Sequence, residues 1–103
     1  MSLTVICGAI QSHNLIQFHY ALGDTPGIRY VEPHMVAYTE AGNLALSAWF
    51  VGGATDSQEG QGWREYLFDG ITNVVILPQN FGGPRPGYNS TGGKKFFNIQ
   101  CAL

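Results

Sequence analysis

The chain has 103 residues and a formal net charge of −2 at pH 7; 45% of its residues are hydrophobic and 12% are charged. This length fits one domain with one core, and ordinary hydrophobicity with low net charge argues against an intrinsically disordered chain. Domains that bind nucleic acid non-specifically are usually basic overall, so the charge balance disfavours that class and leaves room only for a local basic pocket.

The N-terminal region lacks the basic-then-apolar pattern of a secretory signal, and no apolar run is long enough to span a membrane. We therefore expect a soluble, cytoplasmic protein without membrane contact. Cys7 and Cys101 show no CxxC or Cys/His spacing, which disfavours a zinc site. Because apolar residues flank both cysteines, two buried, reduced thiols are the favoured interpretation. A disulfide that links the two ends is the alternative.

The first two predicted elements differ in their hydrophobic period. Residues 4–14 predict a helix, because their apolar residues fall on one face. Those residues are Val5, Ile6, Ala9 and Ile10. In residues 15–22 apolar and polar side chains alternate, which predicts a strand with one apolar face. Residues 23–27 have the composition of a turn.

A second extended segment spans residues 28–39. Pro33 cannot donate a ladder hydrogen bond, so it predicts an edge, a bend or a bulge within this segment. Residues 40–43 have the composition of a hairpin turn. A third strand is predicted over residues 44–51, and residues 52–62 form a long polar loop.

The second half of the chain holds the remaining strands. Residues 63–69 predict a fourth strand, and Gly70 predicts a kink or bulge after it. A fifth strand is predicted over residues 71–77, with Pro78 as its end. Residues 79–93 are rich in glycine, proline and asparagine and are expected to be mostly irregular.

Alternating Phe97, Ile99 and Cys101 predict a last strand near the C-terminus. One helix followed by five or six short strands at close spacing predicts a mainly β fold. The expected architecture is a small antiparallel barrel with the N-terminal helix plugging or flanking it. We expect residues 1–103 to form this single domain.

Several short motifs follow one another along the chain. The first three are I-x-F-x-Y, R-x-V-x-P and an aliphatic segment that ends in an aromatic residue, carried by Ile16, Phe18, Tyr20, Arg29, Val31, Pro33, Leu46, Ala48 and Trp49. The last two are R-x-[FY]-x-[LF]-D-x-I and a trailing segment, carried by Arg64, Tyr66, Phe68, Asp69, Ile71, Phe81, Pro84 and Tyr88. In this order, and after an apolar helix, the motifs resemble the WYL domain family over about residues 6–88.

WYL domains are small Sm-like, SH3-type barrels, usually attached to bacterial transcription factors. The resemblance implies a stand-alone regulatory module that binds nucleic acid fragments or other negatively charged ligands and relays binding to a partner, without enzymatic activity or a cofactor. Leu44-Ala45 stand where the family has a Trp-Tyr pair. Gly70 replaces an arginine that belongs to the family's ligand-binding surface. These departures imply a lost or a different ligand.

Arginine is scarce in this chain, and two of its three arginines lie in apolar, extended segments. Arg64 shares a strand face with Tyr66, an arrangement that can contact a phosphate or stack on a base. The alternative is an ion pair and a cation–π contact that only stabilise the fold. Arg29 has the same two interpretations. Arg85 lies in a proline-glycine loop, where binding residues often occur and where an arginine is otherwise simply solvated.

Three further residues complete the predicted ligand set. His34 directly follows Pro33, and Tyr20 and Ser47 lie on predicted strands, so all three are candidates to line a pocket. Their structural alternatives are a hydrogen-bonded histidine and a core tyrosine. The chain's histidines are too scattered for a metal site. No nucleophile or phosphate-loop motif is present, so we predict no catalytic residue.

Two hypotheses follow. The first is a regulatory module that binds an anionic small molecule, such as a nucleotide, or a short single-stranded nucleic acid. The second is a structural or protein-interaction domain with a degenerate ligand site. Its exposed edge strands beside Trp49 and Trp63 would pair with a partner protein or with a second copy.

Overall fold

The structure is a computed structural model that describes residues 2–55 and 60–103. Its elements are α1 (Ser2–Ser12), β1 (Asn14–Tyr20), β2 (Gly27–Thr39), β3 (Leu44–Gly53), β4 (Gly62–Leu67), a 3₁₀ turn (Phe68–Gly70), β5 (Ile71–Asn80) and β6 (Phe96–Ala102). The prediction of a mainly β fold with an N-terminal helix is confirmed. Part of the predicted polar loop, residues 56–59, lies outside the described residues.

Helix α1 buries the predicted apolar face and ends earlier than predicted. Ile6, Ala9 and Ile10 are fully buried, and they pack in the main core with residues of the sheet. His13 has a φ of 57°, in the left-handed region, and its N–H bonds to the Ile10 carbonyl oxygen. This conformation ends the helix and lets β1 begin at once at Asn14.

All strand pairs are antiparallel, in the order β4-β3-β2-β1-β5, with β6 paired to β2 outside this path. Among the described residues the end strands β4 and β5 do not pair, so the sheet is not closed and the predicted barrel needs correction. The two end strands are connected in sequence but not by ladder hydrogen bonds. The 3₁₀ turn carries the chain from one end strand to the other.

Strand β2 is the centre of the sheet. Its first part pairs with β1, its last part with β6, and most of its length with β3. The register with β3 shifts between Pro33 and Met35, so of the three predicted alternatives, an edge, a bend or a bulge, the bulge applies. Pro33 is buried in this central strand, so the bulge rather than an edge position accommodates its missing N–H.

The chain around β5 departs from prediction at both ends. The fourth strand ends at Leu67, and the predicted kink at Gly70 is the end of the 3₁₀ turn. A Cβ atom on Gly70 would lie 2.8 Å from atoms of Tyr20 and Leu22, so this close approach requires glycine. Pro78 does not end β5, which continues to Asn80, because an end strand tolerates a residue without an N–H.

The two cysteines form a disulfide, with 5.7 Å between their Cα atoms. The favoured interpretation of two reduced thiols is therefore wrong, and the alternative applies. Helix α1 packs against β6, and this brings positions that are 94 residues apart in sequence side by side. No helix within residues 2–55 and 60–103 is long and apolar enough to cross a membrane.

Candidate ligand-binding site

Strands β2, β3 and β4 present two chemically different faces. The inner face belongs to the main core and includes Val31, Leu46, Ala48, Phe50 and Tyr66. The outer face carries the residues that alternate with these, which the pairing register places side by side: Glu32 by Trp49, Trp49 by Trp63, and Ser47 by Glu65. Residues 81–96, here called the covering segment, lie against this outer face.

Arg29 lies at the inner side of the sheet and is almost completely buried, with 3% of its surface exposed. Its Nη1 donates to the Gly27 carbonyl oxygen at 3.1 Å, and its Nη2 donates to the Thr25 carbonyl oxygen at 2.8 Å. The guanidinium also lies 5.6 Å from the centre of the Tyr20 ring. These contacts hold the turn between β1 and β2, and they leave little of the guanidinium for a ligand.

Tyr66 joins Arg29, Arg64 and Tyr20 in one inner cluster. The Tyr66 and Tyr20 rings are 5.0 Å apart in an edge-to-face arrangement, and the Tyr20 hydroxyl accepts a hydrogen bond from the Leu67 N–H. Burial raises the pKa of Tyr66 to about 12, although the charges of Arg29 and Arg64 and a hydrogen bond from Arg29 act in the opposite direction. Three of the predicted ligand residues thus surround a fourth, Tyr66, which is buried.

Arg64 belongs to the inner cluster and also borders the outer pocket. Its Nη1 donates to the Trp63 carbonyl oxygen and its Nη2 to the Gly60 carbonyl oxygen, at 2.9 and 2.6 Å. The guanidinium lies 5.2 Å from the centre of the Phe50 ring. Its buried Nε has no hydrogen-bond partner among the described residues, so Arg64 retains an unused donor.

A pocket of about 290 Å³ lies between the outer face and the covering segment. Its apolar lining comes from Met35, Trp63, Tyr88 and Phe96, and its polar lining comes from Ser47, Arg64, Glu65, Asn89 and Lys95. Of the predicted ligand residues only Ser47 and Arg64 border this pocket. A pocket with aromatic walls and a few polar groups has the usual composition of a small-molecule site.

The pocket lining contains two cationic residues and one carboxylate, in a chain whose net charge is negative. Lys95 Nζ lies 3.2 Å from Glu65 Oε2, and the lysine side chain is 71% exposed. An ion pair this exposed contributes little to stability. Lys95 is therefore available to an incoming anion at small cost.

Specific hydrogen bonds hold the aromatic wall of the pocket. Trp63 Nε1 donates to the Pro86 carbonyl oxygen at 2.8 Å, and the Trp63 and Tyr88 rings lie 6.1 Å apart at an angle of 19°. The Tyr88 hydroxyl reaches the carbonyl oxygens of His34 and Leu103, at 3.2 and 3.3 Å. The covering segment is thus attached to β4, to β2 and to the C-terminal residue.

His34 lies beneath the covering segment and Arg85 lies within it, and neither residue lines the pocket. His34 is fully buried, and its ring makes hydrogen bonds to the main chain of Glu32 and Arg85. Arg85 forms a two-pronged ion pair with Glu32, at 2.7 and 2.8 Å, and its guanidinium lies 5.0 Å from the centre of the Trp49 ring. Hydrogen bonding to Glu32 raises the pKa of Arg85. Both side chains fasten the covering segment to the sheet.

Sequence reasoning did not assign Trp63, Lys95 or Phe96 to the ligand site. Alternation along β4 gave no signal for Trp63, because it places this residue on the face opposite the predicted ligand residue Arg64. No sequence signal pointed to Lys95 and Phe96 either, because the irregular residues 79–93 lie between them and β4, the strand that they approach. Within residues 2–55 and 60–103, no group of histidine, cysteine and acidic side chains could hold a metal ion.

Comparisons of this chain with protein-family models, with curated proteins and with solved structures find no match. The functional proposal therefore rests on the geometry of the chain itself.

Proposed function

We propose that this chain is a regulatory binding module for a small negatively charged ligand, such as a nucleotide or a short single-stranded nucleic acid, and that the outer pocket holds the ligand. One observation supports this most directly. Arg64 and Lys95 bring two positive charges, against the single carboxylate of Glu65, to an aromatic pocket of about 290 Å³ in a chain of net charge −2. Scarce cations placed together in a concavity favour an anion.

The chemistry of the lining fits a ligand with an anionic part and a planar part. The exposed Lys95 ammonium is a donor for phosphate or carboxylate oxygens, and the Arg64 guanidinium adds positive charge at the border of the pocket. Trp63, Tyr88 and Phe96 offer ring surfaces, and stacking on an aromatic side chain contributes about 1–3 kcal/mol per base. Ser47 and Asn89 can bond polar groups of either part.

The proposal includes membership of the WYL family and its Sm-like, SH3-type architecture. Two features support it. The strand order places β1 between β2 and β5, as in a five-stranded antiparallel meander that curls back on its first strand. Arg64 and Tyr66, from the motif R-x-[FY]-x-[LF]-D-x-I, lie next to Arg29 from R-x-V-x-P. The role implied by the family, a bacterial transcriptional sensor that signals to a partner rather than an enzyme, is part of the same proposal.

The disulfide bears on where such a module would work. Disulfides persist in oxidising compartments, whereas cytoplasmic thiols are kept reduced. A cytoplasmic module would therefore hold Cys7 and Cys101 as thiols, and a retained disulfide favours an oxidising compartment instead. Alkylation of free thiols in intact cells, followed by mass spectrometry of the protein, separates the two: alkylated cysteines support the cytoplasm, and unmodified, bridged cysteines contradict it.

The test is a calorimetric titration of the chain at low salt with nucleotides and with short single-stranded oligonucleotides. We expect Lys95→Gln to weaken binding about tenfold and to lower the slope of log affinity against log salt by about one. Lys94→Gln is the matched control, because Lys94 is exposed and does not line the pocket. Absence of binding to the wild-type chain, or equal losses in the two variants, would contradict the proposal.

A second candidate function, a protein-interaction domain, is favoured by the end strand β5. Val75 and Ile76 are 48% and 44% exposed there, and β5 contains no charged residue to deter pairing. Trp49 and Trp63, which the sequence suggested for an interaction surface, do not belong to this strand. Both tryptophans contact the covering segment instead. The expected partner is a second copy that pairs through β5. Light scattering tests this: a concentration-dependent dimer that Ile76→Lys abolishes supports it, and a monomer at high concentration rules it out.

A further inference from the structure

His34 occupies a special position, at the bulge of the central strand and beneath the covering segment. Its side chain is fully buried, although the neutral and charged forms of histidine are both accessible near neutral pH in water. The ring stacks on Phe81 with 5.4 Å between centroids, and it meets the rings of Trp63 and Tyr88 edge-on at 4.7 and 5.3 Å. Every aromatic residue that it contacts here faces the outer side of the sheet.

The two ring nitrogens of His34 have different partners, and these partners determine the tautomer. Nδ1 lies 2.8 Å from the Glu32 carbonyl oxygen, which can only accept, so Nδ1 carries the proton. Nε2 lies 3.1 Å from the Arg85 main-chain N–H, which can only donate, so Nε2 must be the unprotonated acceptor. Only this neutral tautomer satisfies both contacts.

The main chain of His34 holds the covering segment and the chain end as well. Its carbonyl oxygen accepts from the Leu103 N–H at 2.9 Å and from the Tyr88 hydroxyl at 3.2 Å. One residue thus connects β2 with Arg85, Tyr88 and Leu103. Arg85, whose N–H bonds to His34, directly precedes the pocket wall. Pro86 accepts the hydrogen bond of Trp63, and Gly87 and Tyr88 line the pocket.

We infer that His34 is a positioning residue, here called the latch. Neutral His34 holds the pocket-forming part of the covering segment in place, and protonation of His34 releases that part. This inference rests on the function proposed above for the pocket. Protonation of Nε2 would point an N–H at the N–H of Arg85, so an acceptor would become a donor facing a donor. The hydrogen bond would be lost, and a charge would be buried without a new partner.

The charged and titratable groups around His34 come from three elements. Glu32 lies on β2, Arg85 and Tyr88 lie on the covering segment, and His13 lies between α1 and β1. Burial lowers the pKa of His34 from 6.5, the charges of Arg85 and His13 act in the same direction, and Glu32 opposes them. The Glu32 carboxylate is already bonded to Arg85, so it cannot compensate the buried imidazolium fully.

The direction of the pH effect follows from that lowered pKa. Once the segment opens, His34 returns to its ordinary pKa of 6.5, so protons favour the open state below that pH. The latch is fully present above pH 6.5 and weakens as the pH falls, down to the lowered pKa of the closed state. Within this window the ratio of closed to open molecules falls about tenfold per pH unit.

The test is hydrogen exchange of the wild-type chain without ligand, at about pH 7.5 and pH 5.5, corrected for the intrinsic rate. Amides of Arg85, Tyr88 and Leu103 are expected to lose protection at the lower pH, whereas amides of β1 and β3 keep theirs. In His34→Gln the side-chain oxygen can still accept from Arg85 but does not titrate, so the pH response should disappear. His19→Gln, the matched control on β1, should respond like the wild type.

Two results would overturn the latch: an unchanged pH response in His34→Gln, or a response that Glu32→Gln abolishes. If His34→Gln does not fold, an NMR titration of the wild type decides, because the Arg85 amide shift must follow the His34 ring. All these readouts are made without ligand. A failed latch with intact nucleotide binding therefore leaves the proposed function standing, and an intact latch without binding removes only the proposed function.

Discussion

The inner and outer faces of β2, β3 and β4 show how differently the same strands can use polar side chains. On the inner face Arg29 and Tyr66 are buried and hold each other and the nearby turn in place. On the outer face Lys95 and Glu65 form an exposed pair beside an aromatic pocket. A scarce arginine is therefore not by itself a sign of function. What distinguishes Arg29 from Lys95 is exposure: the buried guanidinium is bonded by the protein, whereas the lysine ammonium remains accessible.

The two faces also differ in what completes them. The inner face is covered by α1, whose apolar period is visible in the sequence. The outer face is covered by residues 81–96, an irregular segment held by individual contacts of His34, Glu32 and Trp63. Packing should therefore dominate the energetics of the inner face, and hydrogen bonds and charges those of the outer face.

The largest expected effect concerns the disulfide, which ties α1 on the inner side to β6. Its loss frees a loop of 94 residues in the unfolded chain, which the chain-entropy model values at about 4–5 kcal/mol. Urea unfolding with and without a dithiol reductant measures this loss. The Cys7→Ser/Cys101→Ser double variant should be as unstable as the reduced wild type and insensitive to the reductant. Equal stability of the oxidised and reduced wild type would contradict the expectation.

Two adjacent residues of β3 compare the faces directly. Leu46 is fully buried on the inner face, so Leu46→Ala should lower the free energy of unfolding by about 2–5 kcal/mol. Ser47 borders the outer pocket, and Ser47→Ala should change that free energy by less than about 0.5 kcal/mol. Chemical denaturation of both variants provides the measurement. Similar losses would mean that the outer face is as tightly packed as the core.

The inner face should have an alkaline pH limit that depends on Tyr66. Because the pKa of Tyr66 rises from 10.0 to about 12, the native state keeps its proton where the unfolded state loses it. Stability is fully present below pH 10 and falls as the pH rises through 10–12, by up to about 3 kcal/mol. Unfolding followed at increasing alkaline pH should show this fall in the wild type and a smaller one in Tyr66→Phe. Identical curves would exclude Tyr66 as the cause.

A smaller expected loss tests the structural role of Arg29. A lysine cannot reproduce its two-pronged donation to the carbonyl oxygens of Thr25 and Gly27, so Arg29→Lys should cost about 1–3 kcal/mol of stability. Ligand affinity should be unchanged, because Arg29 does not line the outer pocket. Thermal unfolding and the nucleotide titration measure the two quantities. A large loss of affinity with intact stability would move the ligand site to the inner cluster.

Much of the fold follows from local patterns. The inner face of α1, the alternation in β1 and β3 and the bulge at Pro33 were all predictable, because each depends on the period or the backbone chemistry of a few neighbouring residues. The end of the fourth strand at Leu67 and the continuation of β5 past Pro78 were not. Both depend on where the neighbouring strand lies, which is not encoded locally.

The candidate site divides in the same way. Ser47 and Arg64 were identified from their strands, whereas Lys95 and Phe96 reach the pocket only because the covering segment returns to β4. The disulfide between Cys7 and Cys101 likewise required the packing of α1 on β6.

By itself the sequence determined one helix, the succession of strands and the chemical character of each strand face, because these are properties of residues a few positions apart. Only the tertiary structure decided which charges are buried, which remain accessible and whether the two cysteines meet. Those outcomes depend on contacts between residues far apart in the chain, and local periodicity carries no information about such contacts.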